Sequence, residues 1–483
     1  MNGDDKAKTH NTPKVEISVR NFGPIAEADL DLRPLTVFVG PSNTGKTYLS
    51  VLIYALQGIF EEFADFPSLY ISRLIAYGLR YDREKFLKVL NKLKSGQALT
   101  FLDLPEAVRE KAQYRLKNIE VDDDDLATEF KRCFDLDSVS ELIQSSGNQN
   151  DETTVSLMVS KGHQDLWSFK TNISKSKITM DGGINENTVI FTEDWLPSTQ
   201  RIGFEDLEQY CWERHSNPEM VHYLPTARSG IMQTHRVIAS SLIERATRTG
   251  SETSGIPTLS GVVADFMKKL ILYREHANPN DEMNRIADAL ESDVLAGQIV
   301  TKPSPTGYPE FRYRPQATKQ DISLTRSSSM VSELAPLVLF IRGLVRPGDP
   351  LIIEEPEAHL HPAAQTQMAA TLARLVRAGV RVLVTTHSDF MLKEIANLMH
   401  EGELEEKGAL KKQTDKPERW LSPEEVGVWL FQKNGIVDEI KFDRIHGIEP
   451  IEYEDVVEAL YNRWAGLQNR LEEMKDENKR ECE

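Results

Sequence analysis

The residues that could do chemistry begin with two adjacent carboxylates at the end of an apolar run. Leu351-Ile352-Ile353 is short and rich in β-branched side chains, as strands buried inside a parallel sheet are, and Glu354-Glu355-Pro356-Glu357 follows it at once. In an open α/β sheet, ligands sit outside the carboxyl ends of the strands. Paired acids at that edge suit holding Mg²⁺ and orienting a water molecule. His359-Leu360-His361-Pro362 comes next, and Val382-Leu383-Val384-Thr385-Thr386-His387-Ser388 reads as a second apolar strand that delivers a histidine to the same edge. Glu357, His359 and His361 could be grouped as a zinc set, but no third histidine-type ligand is near, so a loop between strand and helix is the better reading.

The partner of this edge lies far upstream. Leu35-Thr36-Val37-Phe38-Val39 is a continuous apolar strand, and Gly40-Pro41-Ser42-Asn43-Thr44-Gly45-Lys46-Thr47 fits G-x-x-x-x-G-K-[ST] without a mismatch. Gly40 and Gly45, with Asn43 and Thr44 between them, let backbone N–H groups close on phosphate oxygens. Lys46 reaches the β and γ phosphates, and Thr47 offers a hydroxyl to Mg²⁺. The helical run Tyr48 to Phe60 supplies the context that this motif requires. A nucleotide with Mg²⁺ is therefore the expected ligand. Arg228 sits in the loop Pro225-Thr226-Ala227-Arg228-Ser229-Gly230 after the strand Val221 to Leu224. It has two readings there: a group meeting phosphate charge, or an arginine paired with a core carboxylate. Ser327-Ser328-Ser329 opens a helix that continues through Ile341, offering hydroxyls and free N–H groups to an anion.

These residues need a sheet and helices to hold them. Val15 to Val19 alternates as a half-buried strand, Asn21 to Ile25 turns it, and Ala28 to Leu32 alternates back. From Glu61 to about Ile143 the period is helical. Thr154 to Val159 and Ile173 to Met180 read as strands, and Phe204 to His215 as a helix, so 61–219 is expected to be an insertion lobe, helical then β. Helices are expected at Gly261 to Glu275 and Asp281 to Leu295. A hairpin follows from Gly297 to Pro315, with Lys302, Arg312, Arg314, Lys319 and Arg326 interleaved with Tyr308, Phe311 and Tyr313. That mixture could hold single-stranded nucleic acid or be a sheet edge with long side chains. Met391 to Met399 reads as a helix, Glu401 to Glu418 as a charged linker, Glu425 to Phe442 as a hairpin about Lys433-Asn434-Gly435, and Tyr453 to Lys479 as a final amphipathic helix. The organisation expected is a tail at 1–13, a discontinuous head at 14–60 and 220–445, and a C-terminal helix at 446–483.

Bulk composition narrows the partners. The 483 residues carry 57 Lys and Arg against 75 Asp and Glu, a net charge of −18, which disfavours a chain coated with DNA. Cys133, Cys211 and Cys482 are odd in number and far apart, with no disulfide or zinc spacing. No signal peptide and no membrane-length apolar run are read, so a cytoplasmic location is expected.

The motif order Gly40 to Thr47, Ser327 to Glu333, Leu351 to Glu357, His359 to Pro362 and Thr386-His387-Ser388 resembles the ABC-type ATPase heads of the SMC and OLD-like group. Glu-Glu-Pro-Glu-Ala-His-Leu-His-Pro is especially similar to ATPases of bacterial anti-phage systems of the PARIS and Septu types. The resemblance covers about residues 15 to 60 and 220 to 445. It implies an α/β fold, a P-loop NTPase head of the ABC type with helical and β insertions between the phosphate loop and the signature loop. It also implies a homodimer or higher homo-oligomer that sandwiches ATP·Mg²⁺. By position it makes Glu354 the Walker B acid on Mg²⁺, Glu355 the base for the attacking water, His387 the γ-phosphate switch, and His359 to Pro362 the D-loop. Met330 stands where the usual signature has glycine, so the signature serine is Ser328 or Ser329, and Gln233 is the candidate Q-loop residue. Neither the Asp-x-Asp pair nor the room for a Toprim nuclease domain is found after the head. The implied arrangement is an ATPase that governs a separate effector of the nuclease class, with direct nucleic-acid contact compatible but not required. The alternative is an SMC-like repair ATPase that clamps nucleic acid itself.

Overall fold

The computed structural model describes residues 14–60, 99–104, 106, 109–110, 123–144, 152–161, 164–174, 178–184, 189–191, 221–234, 259–274, 281–303, 309–410, 417–448 and 451–480. The chain opens with β1 (Lys14–Phe22) and β2 (Ile25–Leu32), an antiparallel pair joined at Gly23, then β3 (Leu35–Val39) and α1 (Lys46–Phe60). Next come β4 (Leu99–Thr100), α2 (Asp123–Phe134), β5 (Thr153–Lys161), β6 (Gln164–Ile173), β7 (Ile178–Ile184), β8 (Val189–Phe191) and β9 (His222–Leu224). α3 (Gly261–Ile271) and α4 (Asp281–Leu290) precede a small antiparallel sheet of β10 (Gly297–Pro303), β11 (Pro309–Pro315) and β12 (Ile322–Ser323). The last part contains α5 (Ser329–Gly343), β13 (Pro350–Glu354), α6 (Pro362–Arg377), β14 (Arg381–Thr386), α7 (Asp389–Glu406), β15 (Val426–Phe431), β16 (Ile436–Glu439) and α8 (Ile451–Arg480).

One sheet of 11 strands runs β7-β6-β5-β1-β2-β16-β15-β3-β14-β13-β9. From β15 to β9 its neighbours pair in parallel, and from β2 to β7 they pair antiparallel. The burial patterns follow from this division. β3 and β13 are buried at every residue because helices cover both faces of the parallel half. β1 alternates between buried and partly exposed residues because one face meets water. Strand period then sorts the side chains between two cores. Leu35, Val37 and Val39, with Leu351, Ile353, Val382 and Val384, join the core made with α3 to α7. Phe38, Ile352 and Leu383 turn to the opposite core, where Leu49, Leu52 and Leu56 of α1 pack.

This mixed α/β sheet is the fold class expected. Within the region 61–219, β5 pairs with β1 from Lys14↔Ser160 to Arg20↔Thr154, so β5 to β7 extend the sheet of the head. Alternation told that these strands were half-buried but not which strand they would pair. The strand expected over Ile173 to Met180 is two strands, since β6 ends at Ile173 and β7 begins at Ile178. The linker expected from Glu401 is helical through Glu406, because the face carrying Leu398, Met399 and Gly402 stays buried. The tail expected at 1–13, the helical stretch over 61–98 and the helix expected from Phe204 to His215 lie outside the described residues. Among the described residues no helix is long and apolar enough to cross a membrane.

Candidate active site

The phosphate loop leaves β3 at Val39 and re-enters secondary structure at Lys46. Gly40 has φ +138° and Gly45 φ +104°. A Cβ at Gly40 would stand 2.4 Å from the Phe431 carbonyl oxygen of β15, so only glycine fits where β15 presses on the loop. Asn43 takes the left-handed conformation at φ +66°. Thr44 Oγ1 donates to Pro41 O at 2.9 Å, bracing the loop from within. The buried Lys46 folds over it, with Nζ donating to Gly40 O at 2.8 Å and to Pro41 O. Burial lowers the Lys46 pKa to about 8, while Glu355 and Glu357 oppose that shift. Thr47 is exposed in the first turn of α1, which contains no acidic residue. The positive end of the helix dipole is left without a neutralising side chain there.

The acidic edge faces it across β14. Glu354, the last residue of β13 and 5% exposed, accepts from Thr226 N at 3.0 Å and Thr226 Oγ1 at 2.9 Å through Oε2. Its Oε1 is buried and takes no hydrogen bond among the described residues. Glu355 has φ +43°, a left-handed backbone that costs a non-glycine residue about 1–3 kcal/mol. Thr385 holds it there, its carbonyl and Oγ1 accepting from Glu355 N at 2.9 and 3.2 Å. The turn leaves Glu355 Oε1 3.7 Å from His387 Nε2. The His387 pKa is lowered by burial and by the Lys46 charge, against the pull of Glu355. Lys46, Glu355 and His387 thus share one electrostatic environment although they come from three separate stretches of chain.

Glu357 was singled out in the sequence only as a member of a discarded zinc set, and it is the site residue that sequence reasoning missed. It is 9% exposed, and its Oε1 accepts from His387 N at 2.6 Å and from Thr386 Oγ1 at 2.7 Å. The carboxylate therefore pins the loop carrying His387 to the end of the acidic turn. Burial raises its pKa, and the two donated hydrogen bonds oppose that. The spacing gave no signal, since Glu357 and His387 are 30 residues apart. His361 caps α6, Nδ1 accepting from Ala363 N at 3.4 Å, with Pro362 at the first helical position. Among the described residues no cluster of three or more His, Cys, Asp or Glu is placed to hold a metal.

Of the two readings of Arg228, the pairing with a core carboxylate is the one whose partner the structure shows. The residue is 1% exposed. Its guanidinium meets Glu333 Oε1 at 2.6 Å and donates to the carbonyls of Pro225 at 3.2 Å, Glu355 at 3.0 Å, and Glu354. Arg228 thus holds the backbone of both acidic residues against α5 from behind. Ser328 caps α5, its Oγ accepting from Val331 N at 3.4 Å, and Ser328 and Ser329 are both exposed. Ser327 and Ser332 instead turn inward, both donating to Leu324 O, at 2.7 and 3.0 Å. Gln233 is exposed on the helical turn after Arg228. The basic aromatic segment is part of the small antiparallel sheet, with β11 between β10 and β12. Lys302 and Arg314 both pair with Asp321, Arg312 pairs with Glu310, Phe311 is buried, and Tyr313 Oη donates to Leu295 O at 2.6 Å.

A P-loop between a buried parallel strand and a helix, facing paired acids and a histidine at one sheet edge, defines a nucleoside triphosphatase of the α/β class. The chain belongs to the AAA ATPase domain family, whose model matches residues 15–392. Among solved structures it is similar to an SMC head bound to the C-terminal winged-helix domain of ScpA, at 11% identity and TM-score 0.41, covering 89% of this chain and 98% of that one. It is similar also to the Smc head with extended coiled coil bound to the C-terminal domain of ScpA from Pyrococcus furiosus, at 10% identity and TM-score 0.38, over 93% and 100% of the two chains. The SMC head domain from Thermotoga maritima matches at 11% identity and TM-score 0.35, over 89% and 99%. No curated protein matches the chain.

Proposed function

We propose that this chain binds and hydrolyses ATP, that ATP closes two heads into a dimer, and that closure controls a separate effector, in the manner of sensor ATPases of bacterial anti-phage defence. The observation that carries the ATPase reading is the convergence of Lys46, Glu355, Glu357 and His387 at one edge of the sheet. The residues fit the ligand on two counts. Gly40 and Gly45 take the positive-φ backbone that closes the loop, with no room for a Cβ against Phe431 O and Ile25, and Glu354 Oε1 is a buried acceptor that takes no hydrogen bond among the described residues. Thr47 and Glu354 would hold Mg²⁺, which commonly takes one or two protein oxygens and completes its shell from phosphate and water. When bound, the ion neutralises charge on the phosphates.

The chain's own residues divide the remaining work. Lys46 and the loop amides hold the phosphates, Glu355 orients the attacking water and takes its proton, and His387 meets the γ-phosphate. Ser328 or Ser329, exposed at the start of α5, contacts the nucleotide of the second head. The effector reading rests on the wording of the acidic motif, Glu354-Glu355-Pro356-Glu357 through Pro362. The direct nucleic-acid clamp loses its local support because Lys302, Arg312 and Arg314 are already paired with acids. Lys46→Ala tests the nucleotide site: equilibrium binding of a fluorescent ATP analogue is expected to fall at least about tenfold. Undiminished binding would refute the site.

A further inference from the structure

The register of the parallel strands brings a tyrosine to the acidic edge. Tyr223 lies opposite Ile352 where β9 pairs with β13. Side chains alternate between the two faces of a strand, so Glu354, two residues beyond Ile352, projects from the same face as Tyr223. That face meets α1, and Tyr223 is 2% exposed in the core that holds Leu49 and Leu52. Its Oη is buried and closes no hydrogen bond among the described residues, and the same is true of Glu354 Oε1. Burial, then the Glu354 charge, raises the Tyr223 pKa well above the ordinary 10, so the hydroxyl keeps its proton and meets the carboxylate as a donor.

An edge-to-face contact fixes the tyrosine ring. Tyr54 of α1 meets it with 5.4 Å between ring centroids and 73° between planes. Tyr54 is itself anchored, its Oη donating to Asp265 Oδ2 at 2.8 Å, where Arg132 Nη1 also donates at 2.8 Å. The two oxygens of Glu354 are loaded unevenly, since Oε2 accepts twice from Thr226 and Oε1 takes no hydrogen bond among the described residues. A carboxylate oxygen has two acceptor sites, so one donor on Oε1 orients that oxygen without filling it. We propose that Tyr223 is a positioning residue for the metal, its hydroxyl donating to Glu354 Oε1 in the nucleotide-bound head and leaving the second acceptor site of that oxygen to Mg²⁺. Tyr54 then ties the orientation of Glu354 to α1, the helix that carries Thr47. The assignment rests on Glu354 and Thr47 as the residues that hold the ion.

Tyr223→Phe removes one oxygen and keeps the ring. Mn²⁺ is titrated into the full chain saturated with a non-hydrolysable ATP analogue, and the bound ion is read by electron paramagnetic resonance. The variant is expected to bind Mn²⁺ about 10- to 100-fold more weakly than wild type, as loss of an outer partner of a metal ligand does elsewhere. Affinity for a fluorescent ATP analogue in EDTA is expected to be the same in both, and the denaturant midpoint equal or higher in the variant, because a buried hydroxyl without a hydrogen bond adds no stability. Equal Mn²⁺ affinity in the two proteins would overturn the proposal and leave the ATP site standing. A lowered midpoint or weaker binding in EDTA would also overturn it, assigning Tyr223 to packing. Thr47→Ala is the control, and wild-type Mn²⁺ affinity in that variant would refute the metal site itself and the proposal with it.

Discussion

Arg228 and Glu333 are an ion pair with side chains only 2% and 1% exposed, and they support the acidic turn without reaching the nucleotide face. Removing the arginine strands a carboxylate in the core, a change that costs about 3–5 kcal/mol when a buried pair is broken. Arg228→Met is therefore expected to lower unfolding stability by that order in a denaturant titration, and an unchanged midpoint would mean that the pair contributes nothing. Glu357 acts closer to the chemistry. Glu357→Ala should reduce kcat about 10- to 100-fold, as loss of an orienting partner does elsewhere, with nucleotide affinity unchanged. Glu357→Gln keeps an acceptor for His387 N and should retain most activity; equal losses in both variants would show that the charge matters and not the hydrogen bonds. The functional roles expected for Lys46, Glu355 and His387 came from spacing and motif order. Arg228 stayed ambiguous and Glu357 was passed over because burial and contacts between residues distant in sequence are not written in a local pattern.

At the scale of elements, the edge strand β9 is tied to its neighbours by a buried histidine. His222 Nε2 meets Asp349 Oδ2 at 3.1 Å, just before β13, and Nδ1 meets Lys269 Nζ of α3 at 3.1 Å, an arrangement that suits a neutral ring donating to the acid and accepting from the lysine. Burial, then the Lys269 charge, lowers the His222 pKa to about 4 against an ordinary 6.5, with Asp349 opposing. Between those values the unfolded chain binds a proton that the folded chain does not. Stability fully present above pH 6.5 is thus lost as pH falls toward 4, roughly 3 kcal/mol in all. His222→Gln should remove about one proton from the slope of stability against pH in that window, and an unaltered slope would contradict the assignment. Continuous apolar runs made β3, β13 and β14 legible as buried parallel strands. The attachment of β5 to β1 was not legible, because a period of two reports a half-buried face and leaves the neighbouring strand unspecified.

At the scale of the molecule, the parallel half of the sheet gathers three distant stretches of chain at one edge, while the antiparallel half broadens the head. A net charge of −18 and a paired basic hairpin direct attention to nucleotide and protein partners. The most direct test of the central claim is Glu355→Gln, followed by ATP turnover and by sedimentation with ATP and Mg²⁺. The variant is expected to bind ATP with near wild-type affinity, to lose at least about a hundredfold in kcat, and to accumulate as the closed dimer. Hydrolysis at the wild-type rate would contradict that claim, since the proton would then leave the attacking water by a group other than Glu355.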